Sequence, residues 1–422
     1  MSRRWRDVIL RSPILWTAIK VTPLWGDSLV KTYIRRSSQS PLDVDICYGA
    51  AGKDMLVSML DILVPCAHRW RSLIIRDSVS YVYLSVILQK IGCLTFPSLR
   101  RVSITPRHFD EVSNDWNSRF LAPGTSCQLE YLELGRQFVV SADFKIPSCL
   151  STLVLELHHR ENAVLSSLLE LPSCAKLTVL SLSGNLDAFH QRPPNSVHLP
   201  LLEKLVCKAP DVGSLLHAIV APKLSHFEYR PIVVGDISFD LFAGLDSKFS
   251  NVSRIVLYSS CIEHDIELAC LAFPGVRHAV LHEDDAKVVF ASMETVPTLA
   301  SWPYLESLAI EGSHVRNHPN YLGTLVTWLK ERESMGRPKI RIKLCSFQGD
   351  PGWFSVVQNT LQEQCMLEWV DMRLTANMKI SGVVGDSLCT QWSVGIFFPK
   401  FLFLGLTYTF HGRVHRRSHP GS

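Results

Sequence analysis

Apolar and polar positions alternate through the middle of the chain in a recurring six-residue phrase, L-x-x-L-x-L. It reads Leu99-x-x-Val102-x-Ile104, Leu129-x-x-Leu132-x-Leu134, Leu150-x-x-Leu153-x-Leu155, Leu177-x-x-Leu180-x-Leu182 and Leu202-x-x-Leu205-x-Cys207. It continues as Leu224-x-x-Phe227-x-Tyr229, Val252-x-x-Ile255-x-Leu257, Val276-x-x-Ala279-x-Leu281 and Leu305-x-x-Leu308-x-Ile310. A looser copy, Trp70-x-x-Leu73-x-Ile75, precedes these, and Leu367-x-x-Val370-x-Met372 follows. From Trp70 to Leu305 the starts lie 21 to 30 residues apart. Residues two apart share one side of a strand, so the last two apolar residues of each phrase face one way and the x residues the other. One such strand is too small to be stable, and stacking neighbours buries the apolar positions in one continuous core.

The segments between phrases carry the chain back to the next strand. Ser80 to Ile91, Ala163 to Leu171 and Val212 to Val220 have apolar residues at helical spacing. Pro97, Pro147, Pro200, Pro222, Pro274 and Pro303 fall one to three residues before a leading apolar residue, where proline ends a helix without removing a ladder donor. The fold class expected is α/β: an irregular solenoid, parallel strands on its concave face and helices and loops outside. These phrases resemble leucine-rich repeats over about residues 67 to 374. The asparagine that in this family bonds the turn after the strand appears only as Asn185, the corresponding sites holding Arg107, Gln137, His158, Pro210 and Ser260. The stretch from Gly312 to Gln364 is expected to hold one or two divergent repeats around Lys339 to Leu344.

The first forty residues have a different pattern. Trp5, Val8 and Ile9 fall at helical spacing, and Ser12-Pro13 opens a short turn carrying Leu15, Trp16 and Ile19. That is more apolar area than so small an element hides by itself. Arg3, Arg4, Trp5, Val8, Ile9, Ser12, Pro13, Leu15 and Trp16 resemble the C-terminal half of an F-box. Leu29 to Ser37 followed by Pro41 to Ile46 is similar to the lead-in of the large fungal class of F-box proteins with irregular leucine-rich repeats. The resemblance implies docking through Trp5, Val8, Ile9, Leu15 and Trp16 on a Skp-type adaptor linked to a cullin, with the repeats presenting a substrate for ubiquitin transfer. The family's Leu-Pro-containing first helix has no counterpart in these residues, so the segment offers part of that surface. Without the resemblance, the same tryptophans read as a cap on the open end of the repeat core.

Composition narrows the class further. Of 422 residues, 47% are apolar and 19% charged, which excludes a disordered tail protein, and a net charge of +4 does not point to nucleic acid. Twelve cysteines without a C-x-x-C pair suggest reduced thiols in a cytoplasmic or nuclear protein. Met1 to Asp7 opens no secretory signal, and the 17-residue apolar run Val394 to Phe410 is short for a bilayer span and contains Pro399 and Lys400. Membrane attachment is therefore not expected.

No catalytic, cofactor or metal motif emerges. Gly26-Asp-Ser-Leu29 and Gly385-Asp-Ser-Leu388 match a four-letter esterase nucleophile motif, but neither follows a clear strand. His158-His159 and the pair His314 and His318 lack a third ligand, and Pro319 disfavours a helix through the latter pair.

The alternation itself singles out a surface. In four consecutive repeats the x residues are Lys204, Val206, Lys208; His226, Glu228, Arg230; Arg254, Val256, Tyr258; and His278, Val280, His282. Four cations, three histidines and a tyrosine face a single acid there. Such a patch suits an acidic or phosphorylated protein segment, Arg230 and Arg254 being best fitted to bidentate contacts; it equally reads as a solvated face whose charges pair with loop carboxylates. The chain thus reads as residues 1–40, a partial F-box-like segment and lead-in helix; 41–375, the solenoid; and 376–422, an atypical tail. The function expected is that of a non-enzymatic substrate receptor of a ubiquitin ligase or, alternatively, a stand-alone interaction scaffold.

Overall fold

The computed structural model describes residues 3–48, 52–76, 81–105, 128–135, 147–157, 172–231, 241–258, 263–282, 285–286, 289–290, 302–311, 320–345 and 359–370. The chain divides into two units, 1–373 and 374–422; the second, including the atypical tail, lies outside the described residues.

The strands of the first unit are β1 Ala18–Val21, β2 Leu42–Ile46, β3 Trp70–Ile75, β4 Arg101–Ile104, β5 Tyr131–Leu134, β6 Thr152–Leu157, β7 Val179–Gly184 and β8 Val197–His198. They continue as β9 Lys204–Lys208, β10 Ile219–Val220, β11 His226–Tyr229, β12 Arg254–Leu257, β13 His278–His282, β14 Ser307–Glu311, β15 Arg341–Cys345 and β16 Met366–Val370. Fourteen of them form one open sheet whose spatial order is the chain order, the two-residue β8 and β10 making a separate pair. Every pairing is parallel. A parallel sheet that adds strands strictly in sequence is a solenoid, each repeat touching only its neighbours.

Register explains the phrase. The fifth strand's Leu132 and Leu134 align with Val102 and Ile104 before them and with Leu153 and Leu155 after them. The same two columns run through Leu180 and Leu182, Leu205 and Cys207, Phe227 and Tyr229, Ile255 and Leu257, and Ala279 and Leu281. All of these are buried, as are the leading residues Leu99, Leu129, Leu150, Leu177, Leu202, Leu224, Val252, Val276 and Leu305.

The prolines serve a turn as well as a helix stop. The amide of Leu99 donates to the Phe96 carbonyl, Leu202 to Leu199, Leu224 to Ala221, Val276 to Phe273 and Leu305 to Trp302. Pro97, Pro200, Pro222, Pro274 and Pro303 each occupy the second position of these four-residue turns, where a fixed φ is already correct. These five repeats therefore enter their strands through the same hydrogen-bonded corner.

Helices α1 Arg3–Arg11, α2 Asp27–Arg36, α3 Lys53–Leu63, α4 Tyr81–Ile91, α5 Gly213–Ala218, α6 Glu263–Ala272 and α7 Asn320–Ser334 lie in the returns, except α1, which precedes the sheet. Along α3, Leu56, Met59, Leu60 and Leu63 are buried, and along α4 Leu84, Ile87 and Ile91: one stripe each at helical spacing. The helix expected over Val212 to Val220 is shorter, ending at Ala218 so that Ile219 and Val220 pair with Val197 and His198. The helix expected over Ala163 to Leu171 lies outside the described residues.

Two expectations about the ladder need correction. The last phrase is displaced by three residues: Leu367 and Trp369 align with Ile342 and Leu344, so Leu367 is a second and not a first apolar position. The parallel ladder inherited from β15 sets that register, and Leu367-x-Trp369 supplies as good an alternation as Val370-x-Met372. The sheet also begins earlier than expected, because β1 lies within the first forty residues and pairs with β2.

Candidate functional site

Strands β9, β11, β12 and β13 are adjacent and bring the predicted patch together. Lys204, His226, Arg254 and His278 align in one row, and Val206, Glu228, Val256 and Val280 in a second. The patch residues Lys208, Arg230, Tyr258 and His282 follow at the strand ends. Val206 and Val256 occupy open-face positions yet are only 8% and 5% exposed; each lies between longer side chains, Lys204 and Lys208 or Arg254 and Tyr258. The central row of the patch is thus apolar except for Glu228, and lies between two polar rows.

The charges are not equivalent. Arg230 Nε donates to Glu228 Oε1 at 2.7 Å, and its guanidinium lies 3.8 Å from the centre of the Tyr258 ring. The Tyr258 hydroxyl in turn donates to Glu311 Oε2 at 2.7 Å. Arg230, expected as a bidentate partner-binding group, is instead held within the protein. Among the described residues, Lys204, Lys208 and Arg254 have no carboxylate within ion-pair distance. His278 Nδ1 lies 2.9 Å from Ser307 Oγ.

Electrostatics follow from this layout. Burial by itself would raise the Glu228 carboxyl, but the His226 ring and the Arg230 and Lys204 charges outweigh it and bring it down to about 2. Burial lowers the His226 imidazole, as do Lys204 and Arg254, while Glu228 pulls the other way. His226 Nε2 is 3.8 Å from Glu228 Oε2, too long for a hydrogen bond. Burial and the hydrogen bond to Glu311 push the Tyr258 phenol up.

Three open-face residues escaped the sequence reading. Glu311 adds a second acid, aligned with His282, while Arg341 and Lys343 on β15 align with Ser307 and Ala309 and extend the basic surface. Continuing the alternation one phrase past His282 reveals Glu311, and a second phrase reveals Arg341 and Lys343.

At the other end, Trp5, Val8 and Leu15 of the predicted docking set are exposed, Trp5 at 63% and Leu15 at 50%. Ile9 and Trp16 are partly covered. Trp16 Nε1 donates to the Ile9 carbonyl at 2.9 Å, its ring meets Tyr33 edge-on at 5.0 Å, and Arg36 stacks on it at 4.4 Å. Trp16 is therefore tied to α2, whereas no residue of α1 is buried. Ile14 and Leu24, not singled out above, are 75% and 93% exposed and enlarge the apolar surface.

Ser28, in the first of the esterase-like matches, lies in the first turn of α2, five residues beyond the end of β1 being Gly26; the match does follow a strand, and it is built as a helix start. The second match, His158-His159, His314 and His318 lie outside the described residues. Asn185 closes its own loop, its Oδ1 accepting from the Asp187 amide at 2.7 Å.

No family model and no curated protein matches the chain. Among solved structures it is similar to the leucine-rich repeat-containing protein LegL7 from Legionella pneumophila, with 13% identity, coverage of 68% of this chain and 90% of that one, and a TM-score of 0.36. The repeat architecture rests on the strand register and not on that likeness. No described helix is long and apolar enough to cross a membrane.

Proposed function

We propose that the chain is a non-catalytic interaction scaffold that holds an acidic or phosphorylated protein segment on the open face from β9 to β15. The observation that carries this reading is the row Lys204, His226, Arg254 and His278, set in register on four adjacent strands with Lys204 and Arg254 lacking ion-pair partners among the described residues. Charge reversal at Lys204 and Arg254 that leaves capture of acidic and phosphorylated peptides unchanged would remove this site.

The finer reading, an F-box-like receptor in a cytoplasmic or nuclear ubiquitin ligase, rests on the resemblance of the first forty residues. The exposed apolar side chains of Trp5, Val8 and Leu15 support it. The attachment of Trp16 to Tyr33 and Arg36 favours the alternative, a scaffold without a ligase link, because Trp16 then already has a structural task. Co-purification separates the two. A Skp-type adaptor retained by the full chain and lost in Trp5→Ala/Leu15→Ala supports the receptor; an adaptor that is never retained supports the scaffold. These two positions are preferable to Trp16, whose replacement also disturbs the fold.

A further inference from the structure

Within the basic row, β9, β11 and β12 place Lys204, His226 and Arg254 side by side. Adjacent strands are about 4.8 Å apart, so an anion above the imidazole is within reach of both flanking cations. The His226 Nε2 atom is shut off from solvent and has no hydrogen-bond partner among the described residues. An orphaned ring nitrogen flanked by two cations that lack ion pairs is costly unless something negative completes it. Glu228 is the nearest candidate, but its Oε1 accepts from Arg230 and its Oε2 stands 3.8 Å from Nε2, beyond hydrogen-bond distance.

We propose that Lys204, His226 and Arg254 form a seat for the phosphomonoester of a phosphorylated protein segment, the His226 imidazole and the two flanking cations each donating to one terminal oxygen. This rests on the partner-binding reading of the open face and narrows it from an acidic surface to one dianion. A phosphomonoester carries three acceptor oxygens and nearly two charges, whereas a carboxylate has two oxygens and one charge. Donors from three neighbouring strands match the former.

The seat is also proton-linked. The groups facing the His226 ring are Lys204 from β9, Arg254 from β12 and Glu228 from its own strand, with Arg230 behind Glu228. A dianion adds negative charge beside the ring and draws a proton onto it, so binding tightens as pH falls from 8 towards 6. Below about 6 the phosphate itself takes up a proton and the gain ends. Glu228 faces the ring from its own strand and opposes the ligand.

The test titrates the full chain, carrying labelled histidine, with N-acetyl-phosphoserine amide and separately with N-acetyl-aspartate amide, and follows the His226 ring resonance assigned by its loss in His226→Gln. The phosphoserine probe is expected to shift that resonance and to bind about tenfold more tightly than the aspartate probe, a difference of roughly one charge-assisted hydrogen bond. Lys204→Gln and Arg254→Gln should each weaken it severalfold, and Glu228→Gln should strengthen it. If the two probes bind equally and both are weakened by Lys204→Gln, the seat is wrong and the acidic-segment reading stands. If neither shifts His226, both readings fall.

Discussion

Replacing Phe273 by alanine removes the ring at the centre of an aromatic cluster that ties two adjacent repeats together. Phe273 is fully buried. It stacks on Phe227 at 5.1 Å and on Phe249 at 5.5 Å, and meets Phe242 edge-on at 5.8 Å. Phe227 is the β11 residue between His226 and Glu228, so the cluster also supports the open face from behind. Burying such a ring withdraws roughly 200 Å² from water, about 5 kcal/mol at 25 cal/mol per Å². Alanine's methyl and partial collapse of the cavity retain about 1–2 kcal/mol, leaving a loss of about 3–4 kcal/mol. Phe273→Leu keeps most of the volume and should cost only about 1 kcal/mol. Because repeats couple chiefly to their neighbours, the loss should be local. Hydrogen exchange read by mass spectrometry should show protection in β11, β12 and β13 falling several hundredfold, following from about 3–4 kcal/mol, while β1 to β3 change little. A fall of less than tenfold, or one spread evenly along the sheet, would refute the packing described here.

Further changes act through other features. Gly184→Ala should lower the unfolding free energy by more than about 2 kcal/mol, because Gly184 has a φ of +102° and an added Cβ would sit 2.1 Å from the Leu157 carbonyl oxygen. Acid titration should reveal Glu228: with its carboxyl brought from 4.5 to about 2 in the fold, it contributes stability on the order of 3 kcal/mol that is full above the unfolded value and disappears as pH falls towards 2. His226, lowered by burial from 6.5, adds to the acid loss, since the unfolded chain takes up its proton first as pH drops through 6.5. Glu228→Gln should therefore flatten urea-measured stability between pH 5 and pH 3, roughly the window in which the unfolded carboxyl titrates. Trp5→Ala should leave the melting temperature nearly unchanged, the ring being 63% exposed. Trp16→Ala should cost about 1–2 kcal/mol through its indole hydrogen bond and its contact with Arg36.

The repeat was legible wherever all three apolar positions of the phrase are present, because alternation on a stacked strand is a steric consequence and not a preference. At the ends the signal thins. Lys339-x-x-Ile342-x-Leu344 and Gln364-x-x-Leu367-x-Trp369 each begin on a polar residue, which is why the final phrase slipped. Trp16-x-x-Ile19-x-Val21 satisfies the pattern fully, but the same tryptophan also fits the F-box-like pattern, so residues alone do not separate the two. The basic rows were readable because parallel register converts equal phrase positions into spatial neighbours. The links within them were not: Tyr258 and Glu311 lie 53 residues apart, and their hydrogen bond depends on side-chain rotamers across two intervening strand pairings. Arg230 misled for the same reason, since its tie to Glu228 and its stacking on Tyr258 are rotamer choices.

Hydroxyl-radical footprinting of the natural chain tests most directly whether the recurring leucines form a continuous interior behind a bare sheet face. Leu132, Leu155, Leu182 and Ile255 are buried, whereas Ile14 and Leu24 are 75% and 93% exposed. The buried four should oxidise at least about tenfold more slowly than Ile14 and Leu24, as expected for side chains closed to water. Oxidation of Leu132, Leu155, Leu182 and Ile255 at the rate of those exposed residues would contradict the fold and, with it, the binding surface built upon it.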